Sequence, residues 1–404
     1  MRKLLTALLL AAAAAPASSS SPALPTRFTQ KAQNDLRAGP GPYYPLKAVL
    51  GRGAEVRVVK TAGDWTLVRL QGFSDAPLWT PSSALGGPIK PSPLDFFRPE
   101  RPARMAAASA AVRGFALRYG RAKGPGVDAL LSRPAPFSPQ DFAAFKAETG
   151  APARKPGAAL FADYDLSAQE QGIGVGVAAN VAARGLAGSP KTVRYLNLVA
   201  ANLAEAAGAY QRPFQIYIVA GDEVNAVSVP GGYIFVTKPL LAACKSEAEL
   251  AAVLAHEMAH LLKRHGLKEM KARELGLKAD AAMAELDAES GPAPDDEQQA
   301  ELNDLAESAY DSVHKPRLQA YELEADRFAG LMLARAGYDP AALPRMIERV
   351  GAAATAAKSI EDENPFSKVD FAKRRDAADA LLGGELKGAA GVDGAPRLAR
   401  ELKL

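Results

Sequence analysis

The chain has 404 residues, 48% of them apolar and 23% charged, with a formal net charge of +4. That length allows two or three domains with a substantial core, and the charge is too small to imply nucleic acid as a partner. Cys244 is the only cysteine, which excludes an intramolecular disulfide and leaves it as a small packed apolar residue.

Met1-Arg2-Lys3, the apolar run Leu4 to Ala15 and the ending Ala15-Pro16-Ala17 read as a secretory signal peptide over residues 1–17. The expected location is therefore outside the cytoplasm, in a periplasm or the extracellular space. No cysteine lies near the cleavage point, so no lipid attachment is expected there. Leu240 to Leu262 is the best later candidate for a membrane span, but Lys245, Glu247 and Glu249 interrupt it. No transmembrane segment is expected in the mature chain.

Residues 34–86 read as a small all-β module, with strands at Val56–Val59 and Leu67–Leu70 around the turn Ala62-Gly63-Asp64. Leu36-Arg37-Ala38-Gly39-Pro40, Gly63-Asp64-Trp65 and Leu78 to Leu85 resemble a bacterial SH3-like domain. The resemblance implies cell-wall peptides or an envelope protein as partners. Tyr43, Tyr44, Trp65 and Trp79 are candidate groove residues, with plain core packing as the alternative.

A Pro-rich linker is expected over 87–102 and a helical connecting region over 103–164, including helices at 103–123 and near Pro139–Glu148. Next come helices near Ala168–Ala183 and Thr192–Tyr210, and a strand at Phe214–Val219. Val227–Val229 and Tyr233–Val236 flank Pro230-Gly231-Gly232 as a hairpin-like pair.

His256-Glu257-Met258-Ala259-His260 carries the chemistry. Residues four apart share a helical face, so both histidines can hold one zinc ion. Glu257, about 100° round the helix, can act as general base on a metal-activated water without taking a ligand position. Ser246 and Glu249 form a capping-box pattern ahead of this helix. Lys263, Arg264 and His265 fit its last turn as helix-end cations, with Gly266 as its cap and the start of a second helical segment almost at once as the alternative. His265 is rejected as a third ligand, because a continued helix would turn it about 140° from the ligand face.

Downstream, Glu322 and Asp326 share a helical face. This suggests Glu322 on the metal and Asp326 accepting the outer N–H of a ligating histidine. Glu324 then becomes a solvent or helix-pairing charge. The plainer alternative for this segment is an ordinary charged helix face.

These motifs, with Asn225-Ala226, Pro230 to Val236, Glu247 to Leu250 and Ala336 to Pro340, resemble the HtpX and CAAX prenyl endopeptidase family of zinc peptidases. The resemblance runs from about Ala168 to Arg375 and is to the soluble exported bacterial type. It implies zinc on His256, His260 and Glu322, Glu257 as base, and Asp326 behind a ligand. Many soluble relatives carry a His-Pro pair further on; here the region reads Glu363-Asn364-Pro365-Phe366, followed by Arg374 and Arg375, so no histidine latch is expected.

The expected fold is α+β: a mainly helical zincin-type domain with a small sheet over 165–383, after a small SH3-like β barrel and before a tail over 384–404. Between the two metal-bearing helices, 266–315 reads as a charged helical excursion that ends near His314. The expected function is an exported zinc metalloendopeptidase with one zinc per chain, acting on polypeptides, in the setting of envelope protein quality control. The alternative is a non-catalytic assembly, chaperone-like or cell-wall-binding factor on the same fold.

Overall fold

The computed structural model describes residues 24–31, 34–70, 76–89, 130, 137–149, 160–161, 168–209, 214–269, 319–356 and 369–404. The signal peptide, residues 90–129 of the linker and connecting region, the excursion from 270 with His314, and the Glu363–Phe366 segment lie outside them. The fold is α+β.

The N-terminal unit is one antiparallel sheet of β1 (Thr26–Thr29), β2 (Asn34–Arg37), β3 (Leu46–Leu50), β4 (Glu55–Ala62), β5 (Trp65–Arg69), β6 (Leu78–Pro81) and β7 (Leu85–Gly86). The strand order is β3-β2-β6-β5-β4-β1-β7. Gly63 and Asp64 close the β4–β5 hairpin, and Gly63 takes φ +59°, which glycine adopts without steric cost. β1 lies ahead of the expected boundary at 34 because it supplies the second partner of β4.

Leu36, Val56, Val68 and Leu78 form the small core of this unit. Trp65 is buried, so it is not a groove residue. Tyr43 lies beside Tyr44, with ring centroids 5.2 Å apart, and also packs on Phe142 at 4.3 Å. Phe142 lies on α1 (Pro139–Thr149) and belongs to the large core of the second unit. Tyr43 is thus a point of contact between the β unit and the second unit.

In the second unit a four-stranded sheet of β8 (Leu186–Ala187), β9 (Gln215–Val219), β10 (Ala226–Val229) and β11 (Tyr233–Thr237) runs in the order β10-β11-β9-β8. β9 and β11 are parallel, while β10 and β8 run antiparallel to their neighbours. Period-two alternation splits the side chains between two cores. Ile216, Ile218, Ile234 and Val236 face the larger core, shared with α3 (Pro190–Ala207) and α5 (Glu247–Leu262). Tyr217, Val219 and Phe235 face the smaller one, with Val177, Val181 and Ala182 of α2 (Ala168–Ala182). Gly174 of α2 meets the Pro230–Gly231 turn so closely that a Cβ would fall 1.9 Å from the Pro230 carbonyl oxygen.

α3 starts two residues before the expected Thr192, because Ser189 caps it through the Thr192 N–H and Pro190 pre-sets its first turn. It ends at Gly208, in the left-handed conformation, rather than continuing to Tyr210. α4 (Lys238–Ala243) leads into α5, followed by α6 (His265–Glu269), α7 (Gln319–Ala336), α8 (Ala342–Ala356), α9 (Phe371–Gly383) and α10 (Ala395–Glu401). The stretch 384–404, read from sequence as a tail, is tied into this body. Arg397 of α10 forks onto the fully buried Glu247 carboxylate at the start of α5, and Tyr195 and Tyr338 also donate to it, at 2.7 and 2.8 Å. A buried carboxylate costs several kcal/mol unless paired; these three donors fix the entry of α5. Among the described residues no helix is long and apolar enough to cross a membrane.

Candidate metal centre

α5 is set by its cap and its neighbours. The Ser246 hydroxyl accepts from the Glu249 N–H at 3.2 Å. The return half of the expected box differs: the Glu249 carboxylate accepts from Lys245 N–H at 2.7 Å and pairs with Arg349 at 3.2 Å. Every residue of α5 is buried, and α7 lies along it. Ala252, Ala255 and Ala259 on α5, with Ala325 and Ala329 on α7, are buried small residues that let the two backbones approach.

That approach brings His256, His260 and Glu322 together. Their ligand-type atoms lie within 4.8 Å of one another, with His256 Nε2 and His260 Nε2 3.0 Å apart. The Glu322 oxygens are 3.4 Å from His256 Nε2 and 3.2 Å from His260 Nε2. The outward nitrogens are already engaged: His256 Nδ1 lies 2.8 Å from Asp326 Oδ1, and His260 Nδ1 lies 2.9 Å from His265 Nδ1. Two imidazoles and a carboxylate, with their Nε2 atoms turned toward one point and their outer atoms held, fit a divalent metal ion.

Arg374 of α9 completes the cluster, a role that nothing in the sequence assigns to it. It donates to Asp326 Oδ2 through Nε at 2.7 Å and to Oδ1 at 2.8 Å, and its Nη1 lies 2.8 Å from Glu322 Oε2. Three buried carboxylates, Glu257, Glu322 and Asp326, demand a buried cation. Sequence alone cannot choose it among 49 lysines and arginines. Burial raises the Asp326 carboxyl, but Arg374 and His256 outweigh it and hold the group below the usual range. Burial likewise lowers the His256 imidazole, yet Glu322 and Asp326 override it and raise it to about 9.

His265 departs from the expected helix-end cation. α5 stops at Leu262, Lys263 stays helical, and Arg264 takes φ +56°, the one non-glycine residue in the left-handed region among the described residues. That conformation costs about 1–3 kcal/mol and turns the chain so that α6 begins at His265, folded back against α5. Gly266 is therefore not the cap. His265 is 1% exposed, stacks on Tyr321 at 4.4 Å, and meets Glu324 with Nε2 at 3.0 Å. Burial and the neighbouring His260 lower it to about 4, so it is neutral rather than cationic at pH 7. Glu324 is the helix-pairing charge: Lys263 Nζ lies 2.7 Å from it.

A cavity of about 50 Å³ opens beside His256 and Glu257. Val253, Leu240, Leu343, Met346, Ile347 and Val350 make it apolar, and Val224, Asn225 and Ala226 bring the start of β10 to its wall. The Asn225 side-chain oxygen is buried there with no hydrogen-bond partner among the described residues. The sequence marks Asn225 only through the resemblance; its place on the cavity wall comes from the structure.

Residues 190–366 match the family model of peptidase family M48. The chain is 27% identical over 172 residues to the beta-barrel assembly-enhancing protease of Escherichia coli (strain K12), covering 41% of this chain and 34% of the relative. It is 30% identical over 164 residues to a protein of Vibrio cholerae named putative beta-barrel assembly-enhancing protease, covering 40% and 33%. A mitochondrial metalloendopeptidase OMA1 of Schizosaccharomyces pombe is 29% identical over 163 residues, covering 40% and 45%. The M48 similarity thus spans about a third of the length of the bacterial relatives.

Proposed function

We propose that this protein is an exported zinc metalloendopeptidase. The observation that carries the reading is the convergence of His256, His260 and Glu322 beside Glu257 in an apolar cavity bounded by the sheet edge. The M48 match over these residues and the names of the relatives support the peptidase class.

In this reading His256, His260 and Glu322 hold one zinc ion, which polarises the scissile carbonyl and acidifies water when bound. Glu257 takes the proton from the attacking water and passes it to the leaving amine nitrogen. Asp326 and His265 hold the ligand imidazoles by their outer nitrogens. Arg374 keeps the buried Asp326 ionised and pairs with Glu322. β10 is the edge of its sheet, so an extended substrate can pair with it by backbone hydrogen bonds. The cavity takes an apolar substrate side chain.

Export is supported by the Met1–Ala17 pattern, and envelope quality control by the two relatives named for beta-barrel assembly. The likeness to HtpX and CAAX prenyl endopeptidases, and binding of cell-wall peptides or an envelope protein by an SH3-like unit, rest on sequence motifs alone.

The test is metal content and peptide-library cleavage by the purified protein, with Glu257→Gln beside the wild type. About one zinc per chain is expected in both proteins. Cleavage should fall by about 10²–10⁴-fold in Glu257→Gln. A wild type that binds zinc and cleaves no peptide overturns the proposal, as does a Glu257→Gln variant of full activity.

A further inference from the structure

We propose that His265 is a positioning residue for the metal site, the middle member of a chain Glu324–His265–His260 that fixes which nitrogen of His260 faces the metal. This rests on the metal-centre reading above.

The order of protons along the chain follows from geometry. His260 Nε2 faces His256 Nε2 and the Glu322 carboxylate, so a ligand role requires its lone pair there and its proton on Nδ1. The Nδ1–H then has His265 Nδ1 in front of it, at 2.9 Å. His265 must accept at Nδ1 and carry its own proton on Nε2, which lies 3.0 Å from the Glu324 carboxylate, an acceptor with no proton to offer. Each link thus demands the tautomer that the next one supplies. If His265 held its proton on Nδ1 instead, two N–H groups would oppose each other and His260 would be pushed toward the wrong tautomer.

Three features hold His265 in that place. Arg264 at φ +56° reverses the chain after α5, which a continued helix could not do. Tyr321 stacks on the imidazole with the rings 6° from parallel. Lys263 holds the far side of Glu324. Tyr321, Glu322 and Glu324 all lie on α7, so the helix that delivers the carboxylate ligand also delivers the support behind the second histidine. The ring lies behind His260, on the side away from the ligand atoms.

Metal affinity of the full chain, measured by competition with a chelating dye, separates this role from simple packing. His265→Phe keeps the ring and its stack on Tyr321 but offers no acceptor. His265→Gln loses the stack but offers a carbonyl oxygen. The expected result is a loss of about 10–100-fold for His265→Phe, with His265→Gln several-fold tighter than the phenylalanine variant. A Co²⁺-loaded sample should show a changed visible spectrum for His265→Phe. Wild-type affinity in His265→Phe, or a glutamine variant weaker than the phenylalanine one, overturns the inference. A wild type that binds no metal overturns the metal-centre reading instead. If His265→Phe does not fold, Glu324→Lys carries the test. A cation facing Nε2 favours the opposing tautomer, so weakened affinity is expected, and unchanged affinity overturns the inference.

Discussion

The two histidines of the candidate metal centre are held from behind in different ways. His256 rests directly on Asp326, and Arg374 locks that carboxylate on both oxygens, all in the buried interior. His260 rests on a neutral imidazole, His265, and the charge that orients it, Glu324, sits one ring further out, where its side chain is 35% exposed. A carboxylate placed directly behind each histidine would put another anion beside Glu322, Asp326 and Glu257, and each buried charge needs a counter-charge. An imidazole transmits the orientation without adding a buried charge. The comparison teaches that the buried side should depend on charge balance, and the outer side on hydrogen-bond direction.

The largest expected effect comes from removing the cation on the buried side. Arg374→Met leaves Asp326 and Glu322 uncompensated, and urea unfolding of the metal-free protein should show a loss of about 3–5 kcal/mol. A loss below about 1 kcal/mol would mean that charge balance does not distinguish the two sides.

The next effect is on pH. In the metal-free site the His256 imidazole is raised from its ordinary 6.5 to about 9, so it carries a proton at neutral pH. A metal must displace that proton. Affinity should therefore rise about tenfold per pH unit from pH 7 toward 9 and then level, with about one proton released per ion. For stability the sign is the reverse. A raised imidazole stabilises the metal-free fold fully below pH 6.5, and that contribution is lost as pH rises through 9. Calorimetry in buffers of different ionisation enthalpy measures the proton count; release of none contradicts the assignment.

Asp326→Asn keeps the shape and an acceptor but removes the charge behind His256, and metal affinity should fall by about 10–100-fold. Glu324→Gln, acting through a further ring on a half-exposed side chain, should cost less than Asp326→Asn in the same assay. Equal losses would erase the contrast. Smallest of all is Lys263→Ala: its partner Glu324 is partly exposed, so the change in stability should stay within about 1 kcal/mol.

Much of the candidate centre is legible in the sequence. The i,i+4 spacing fixes that His256 and His260 share a face, and Ser246 marks where their helix begins, whatever surrounds it. Glu322 and Asp326 are paired by the same rule on α7. Strand alternation likewise placed β9 and the β10–β11 hairpin to within a residue or so. His265 is not a metal-ligand candidate, as its spacing implies, but neither is it a helix-end cation, because the place of a residue past a helix end depends on whether the helix continues. The stop is made by an arginine in a conformation that side chains rarely adopt, which no pattern in Lys263-Arg264-His265-Gly266 announces. Tyr43 is undecided in the sequence for a related reason: an aromatic residue in a small β unit looks the same whether it faces a ligand, its own core or Phe142.

What the sequence determined by itself is local: which residues share a helix face, where caps and turns fall, and which donor types could meet a metal. These follow from backbone periodicity and need no partner. What the tertiary structure decided is non-local. Arg374 reaches Asp326 across 48 positions, Arg397 reaches Glu247 across 150, and Glu324 answers His265 across 59. Each is a buried charge or ring nitrogen that must find a complement somewhere in the chain. Burial makes that demand, and only packing selects the residue that meets it.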